Sequence, residues 1–207
     1  MKHFTVALIL AVLATFSVAA VAQEYPRFEA SVDYSLLNVH PQLSNFSSFT
    51  ANGGGGSFVY NVMPWLGIKA DFMGYTAGNG FNKQIQNLGF QGNVNGNLFT
   101  YMFGPQFKKH SGRFQPFGEA LFGAAHSNAY ATIFKAEGFQ SGNSNNNAFA
   151  MEYGGGLDIS VSHHIQVRPV EVDYLYTRFG SNNVNYTGTQ NTFKYAAGVN
   201  FTFGGNK

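Results

Sequence analysis

The 207-residue chain contains no cysteine, which excludes a disulfide framework, thiolate metal ligands and thiol nucleophiles. Charge is scarce as well. Asp, Glu, Lys and Arg make up 11% of residues, against about 25% in an ordinary soluble domain, whose surface needs to be well charged. After residue 22 no apolar run approaches the roughly 20 residues that a membrane-spanning helix requires. The formal net charge of +2 is too small for a nucleic-acid footprint. Aromatics, by contrast, reach 16%, mostly Phe and Tyr, and there are 25 glycines. Low charge, many aromatics and no apolar helix together suit a membrane-embedded sheet, in which only alternate residues face lipid.

The first segment stands apart from the rest. Lys2 and His3 precede the apolar run Val6 to Val21, and Ala20-Val21-Ala22 before Gln23 forms a small-x-small cleavage site. This pattern predicts a secretory signal peptide over 1–22 and a single mature domain over 23–207. Export without a lipobox cysteine leads to the periplasm, the outer membrane or the medium.

The C-terminal stretch NTFKYAAGVNFTFGGNK sets the pattern for the mature chain. Odd positions read Phe193, Tyr195, Ala197, Val199, Phe201 and Phe203. Even positions read Lys194, Ala196, Gly198, Asn200, Thr202 and Gly204. A period of two marks a β-strand with one apolar and one polar face. Roughly ten residues at about 3.3 Å each, tilted by roughly 40°, match the apolar height of a bilayer.

Seven further segments repeat the pattern. They cover about Arg27 to Leu37, Gly53 to Val62, Leu66 to Thr76, Gly96 to Phe107, Phe114 to Ser127, Ala148 to Val161 and Ile165 to Arg178. In the fifth, Glu119 shares phase with Phe117 and Leu121, and it is assigned inward because a charge facing lipid costs a few kcal/mol. The seventh changes phase near Arg168-Pro169, which predicts a bulge with one extra residue. Asn38 to Asn52, Ala77 to about Asn93, Asn128 to Asn147 and Gly180 to Gln190 read as long loops. Met63-Pro64-Trp65, Lys108 to Arg113 and Ser162-His163-His164 read as short turns, with Trp65 at an interfacial position. Even strand number and alternating long and short connections predict an all-β, eight-stranded antiparallel up-and-down transmembrane β-barrel. Both termini would be periplasmic and the four long loops external. The rival is a soluble barrel with its apolar face inward. Its outer surface would then be the Gly, Ala, Ser and Asn face, a poor solvated surface.

The segments FGPQFKKHSGRFQPFGEALFGAAHS, RPVEVDYLYTRFG and NTFKYAAGVNFTFG resemble the outer-membrane β-barrel domain family, the group that looks like the OmpA transmembrane domain and OmpX. The resemblance covers nearly the whole mature chain. It implies an eight-stranded barrel inserted by the outer-membrane assembly machinery. Family chains often end on an aromatic residue, whereas Phe203 is followed here by Gly204 to Lys207. With four residues after Phe203, the peptidoglycan-binding domain of full-length OmpA-like proteins is not expected.

Eight of the ten acidic residues fall on the predicted inner face: Glu29, Asp33, Asp71, Glu119, Glu152, Asp158, Glu171 and Asp173. Lys69, Arg168 and Lys194 share it, with Arg178 near the upper rim. These charges pair and pack an interior just wide enough for side chains, or they line a narrow cation-preferring passage. A turn centred on His163 sets Asp158 opposite Arg168 and predicts an ion pair between them. His126 and Ser127, with Glu137 in the following loop, resemble in type the residues of outer-membrane lipid A deacylases. Adjacent strand residues point to opposite faces, however, so Ser127 lacks a base within reach. His110, His163 and His164 read as solvated turn residues with no metal-ligand spacing. The expectation is a structural or surface-exposed envelope protein that is not an enzyme and carries no cofactor, metal or nucleic acid. Its expected partners are outer-membrane lipid and lipopolysaccharide, the assembly machinery and an external ligand of the long loops. A small cation-preferring pore and a lipid-modifying enzyme are the alternatives.

Overall fold

Strict alternation of polar and apolar side chains favours extended backbone, because a pleated strand sends neighbours to opposite faces. The computed structural model describes residues 25–40, 48–77, 97–127, 147–180 and 187–205. Eight strands occur there: β1 (Phe28–His40), β2 (Phe49–Met63), β3 (Leu66–Ala77), β4 (Asn97–Lys108), β5 (Phe114–Ser127), β6 (Asn147–Ser160), β7 (Ile165–Gly180) and β8 (Thr187–Phe203). Each pairs antiparallel with its neighbours in sequence, and β1 also pairs with β8, so the sheet closes on itself. Along the closing seam Phe28 faces Phe203 and His40 faces Asn191. Closure leaves no unpaired edge, as a strand structure in hydrocarbon requires. The expected signal segment, 1–22, lies outside the described residues.

The register turns the apolar stripe outward. Val32, Tyr34, Phe72, Phe103, Phe122, Phe149 and Tyr153 are exposed, while Glu29, Asp33, Lys69 and Asp71 are buried. A soluble barrel would reverse this arrangement. The outward aromatics also pack across strands. Phe72 meets Tyr101 and Phe103 edge-on at 6.2 and 5.7 Å. Tyr174 contacts Tyr153 and Phe193 at 5.1 and 5.5 Å. Such cross-strand pairs add to sheet stability beyond area burial.

Three strands run further than their periodicity indicates. β1 continues to His40 and β2 begins at Phe49, although Asn38 to Asn52 reads as loop. β8 begins at Thr187 rather than after Gln190. The physical reason is a waiting partner. Asn38 pairs with Thr50, and Thr187 with Gly180, so polar residues with weak strand signals complete an existing ladder.

The phase change in β7 is a β-bulge. Arg168 pairs with Gly198, but Glu171 pairs with Ala196, so β7 carries one extra residue against β8. The β6 ladder shifts by the same step. Pro169 and Val170 consequently both face out, while Arg168 and Glu171 both face in. In a regular strand residues three apart would lie on opposite faces. Here the two form an ion pair at 2.8 Å.

Candidate functional site

An eight-stranded barrel has little interior volume, so large inward side chains need small ones beside them. The ladder supplies glycines for this purpose. Lys69 pairs with Gly104, Glu119 and Asp173 with Gly154, Glu171 with Gly156, and Asp33 with Gly55 and Gly198. At Gly154 a Cβ would collide with the Asp173 carboxylate and the Val172 carbonyl. Glycine there is a packing requirement set by its neighbour's charge.

The structure places Glu29, Asp33, Lys69, Asp71, Glu119, Glu152, Asp158, Arg168, Glu171, Asp173 and Lys194 on the interior face, all buried. Arg168 is the lower hub. Its Nε donates to Asp158 Oδ1 at 2.8 Å, its Nη2 to Asp158 Oδ2 at 3.1 Å, and its Nη1 to Glu171 Oε2 at 2.8 Å. The expected Asp158–Arg168 pair is therefore present. Asp33 Oδ1 lies 3.7 Å from the same guanidinium, which also stands 4.5 Å from the Phe117 ring centroid. Lys69 donates to both oxygens of Glu119 at 2.7 and 3.0 Å. Lys194 is the upper hub, 2.6 Å from Glu152, 3.0 Å from Glu171 and 2.9 Å from Asp173. Amides extend the network: Gln106 donates to Glu119 at 3.0 Å, and Asn200 to Gln166 at 3.0 Å.

Two members of the network read as turn residues in the sequence. Lys108 ends β4 facing inward, 2.5 Å from Glu29, 2.7 Å from Asp158 and 2.9 Å from Gln166. His110 is not a solvated turn histidine. It lies 2.7 Å from Glu29 Oε1 and 2.7 Å from the Pro64 carbonyl, and its side chain is nearly buried. The signal for Lys108 was its even-numbered phase with Gln106 and Gly104, hidden by the turn-like KKHSGR that follows. With Lys108 included, eight carboxylates and four cations are buried inside, a formal excess of four negative charges. Asp33 Oδ1, Asp71 Oδ2 and both oxygens of Asp173 have no hydrogen-bond partner among the described residues. The close approach of Asp173 to Lys194 is thus a charge contact without hydrogen-bond geometry.

An apolar plug covers the charges toward the long-connection end. Leu37 pairs with Lys194, and Leu121 and Leu175 both pair with Glu152. Together with Met73, Tyr75 and Met102 they form a buried cluster. The interior thus has two storeys, ionic below and apolar above.

Other candidate residues stay apart from this network. His126 is exposed and bonds Asn147 at 2.7 Å, whereas Ser127 is buried on the opposite face. Glu137 lies outside the described residues. His163 and His164 are exposed in the turn after β6, and Arg178 is exposed at the far end of β7. Carboxylate oxygens of Glu119, Glu152, Glu171 and Asp173 lie within 4.8 Å of one another. Lys69 and Lys194 already contact all four, so ammonium groups stand where a metal ion would need to bind.

The profile of the outer membrane protein beta-barrel domain matches residues 8–203. The chain belongs to this family. Its location is accordingly the outer membrane. Comparison with curated proteins finds no match. Among solved structures, neisserial surface protein A has a TM-score of 0.57 at 13% identity, covering 87% of this chain and 100% of that one. The Ail protein of Yersinia pestis gives 0.48 at 14%, with coverages of 87% and 100%. OprG of Pseudomonas aeruginosa gives 0.47 at 14%, with coverages of 88% and 98%. The likeness to the neisserial barrel is one of fold.

Proposed function

We propose that this outer-membrane barrel domain is a non-enzymatic envelope component with a structural or surface-exposed role, held in place by a sealed interior. One observation carries the reading. Leu37, Met102 and Leu121 are fully inaccessible and Leu175 is 1% exposed, above charges that are themselves paired and buried. A conducting barrel needs a continuous wet path, and this interior is built like a core. The short-turn end, with both termini, faces the periplasm, and the long connections face outward. The partners are outer-membrane lipid and lipopolysaccharide around the aromatic belt, the assembly machinery during insertion, and an external ligand at the long connections. His126 and Ser127 lie on opposite faces of β5, which weighs against the lipid-modifying reading.

The excess of four negative interior charges favours a second reading, a narrow cation-preferring pore. Single-channel recording on refolded protein, with folding verified by the unboiled gel band, separates the two. The sealed reading predicts no reproducible steps. Steps that change when Glu171 and Asp173 are neutralised would replace it with the pore.

A further inference from the structure

Every acidic side chain among the described residues lies inside the barrel, whereas the exposed or half-exposed formal charges are all basic. Arg27, Lys109 and Arg113 gather at the short-turn end, and Arg178 stands at the other. At that short-turn end a cleft of about 540 Å3 opens between the turn joining β2 to β3 and the turn joining β4 to β5. One wall is aromatic: Trp65 and Phe107 stack nearly parallel, with centroids 6.0 Å apart and planes 11° from each other. Trp65 is 54% exposed and Phe107 49%, although each is large and apolar. Tyr25 and Pro64 continue the wall, and Lys109 and Ser111 stand exposed at the mouth. The neighbouring cation and imidazole are already committed: Lys108 and His110 both hold Glu29.

We infer that this cleft is a headgroup site for an anionic phospholipid of the periplasmic leaflet, with the Lys109 ammonium on the phosphodiester and Trp65 and Phe107 against the glycerol and upper acyl chain. The chemistry selects this occupant on three grounds. An exposed stacked aromatic pair at a barrel rim sits at headgroup depth, where one edge is apolar and the other wet. A free lysine adjoining it, with no exposed carboxylate among the described residues, offers a phosphate an uncompensated cation. The Ser111 hydroxyl adds a donor beside that cation. An acidic protein would need an apolar face matched to a narrow cleft facing lipid. A phospholipid brings its acyl chain along the belt that the strands already present. The inference rests on the membrane orientation proposed above.

The chain's single tryptophan is Trp65, so tryptophan emission, excited selectively over the tyrosines, reports this cleft alone. The full folded protein is reconstituted in phosphatidylcholine vesicles containing either dibrominated phosphatidylglycerol or dibrominated phosphatidylcholine at equal mole fraction and fixed ionic strength. Bromine quenches tryptophan on contact. The expected result is an about fivefold preference for phosphatidylglycerol next to Trp65, the enrichment that one near-surface cation produces. Lys109→Ala, an exposed site whose folding the unboiled gel band verifies, should bring the two quenching curves together. Equal quenching in the unaltered protein overturns the site, and so does a preference that survives Lys109→Ala. Loss of the preference on adding inorganic phosphate would mark a soluble-anion site and also overturn it. Absence of quenching by either lipid would show that Trp65 does not reach lipid, and would overturn the placement of this rim at headgroup depth.

Discussion

Arg168 touches three carboxylates, those of Asp33, Asp158 and Glu171, and is 2% exposed. Burying a charge is costly, and removing one partner strands the others. Arg168→Met should therefore lower stability by about 3–5 kcal/mol, read as a shift in the urea midpoint followed by Trp65 fluorescence. Adding Asp158→Asn and Glu171→Gln should recover part of that loss, and an undiminished loss would show that the guanidinium acts through packing on Phe117. Lys108 and Lys109 make a sharper contrast because they are neighbours with opposite fates. Lys108→Met abandons Glu29 and Asp158 and should cost a similar amount, whereas Lys109→Ala should stay within about 0.5 kcal/mol. At this scale the sequence is legible where phase is unambiguous, as for Asp33, Glu152 and Asp173. It is opaque for Lys108 and His110. Their role depends on the register between strands, which places Glu29 beside residues about 80 positions away.

β7 shows how an element absorbs an irregularity. Its extra residue near Pro169 lets the strand keep Ile165 and Val167 outward below the bulge and Val172 and Tyr174 outward above it. Deleting Pro169 should restore a regular strand with both phases intact, so folding yield on an unboiled gel should stay close to that of the parent. Deleting Val172 should not be tolerated, because it turns Asp173 or its neighbours toward lipid, where a charged side chain is destabilising. Equal yields for the two deletions would refute the bulge assignment. Gly154 tests packing in the same way. Gly154→Val forces a side chain against Asp173 and should cost about 1–3 kcal/mol, measured by the same urea midpoint. The period of two revealed the eight strands, and the Pro beside a phase change revealed the bulge. The upper end of β1, the start of β2 and the Thr187–Gln190 segment of β8 stayed hidden. Asn, Thr and Gly carry no strand signal of their own, and pairing across the barrel decides their state.

The whole molecule combines an outward aromatic belt with an interior that is charged below and apolar above. Alternation announced the belt and the charged storey. The apolar storey was less visible, because Leu37, Met73, Met102, Leu121 and Leu175 are scattered over five strands and converge only when the sheet closes. On the reading proposed above, that plug seals the barrel. Because the chain has no cysteine, a single introduced thiol reports its own surroundings. Ser35 is fully buried on the inner face between the charges and the plug, and Ser111 is exposed in a turn. The most direct test is the rate at which a small water-soluble methanethiosulfonate labels Ser35→Cys and Ser111→Cys in folded, bilayer-embedded protein. A sealed interior predicts fast reaction at position 111 and none at 35 until urea unfolds the barrel. Labelling at 35 as fast as at 111 in the folded protein would show a continuous water path and contradict the account.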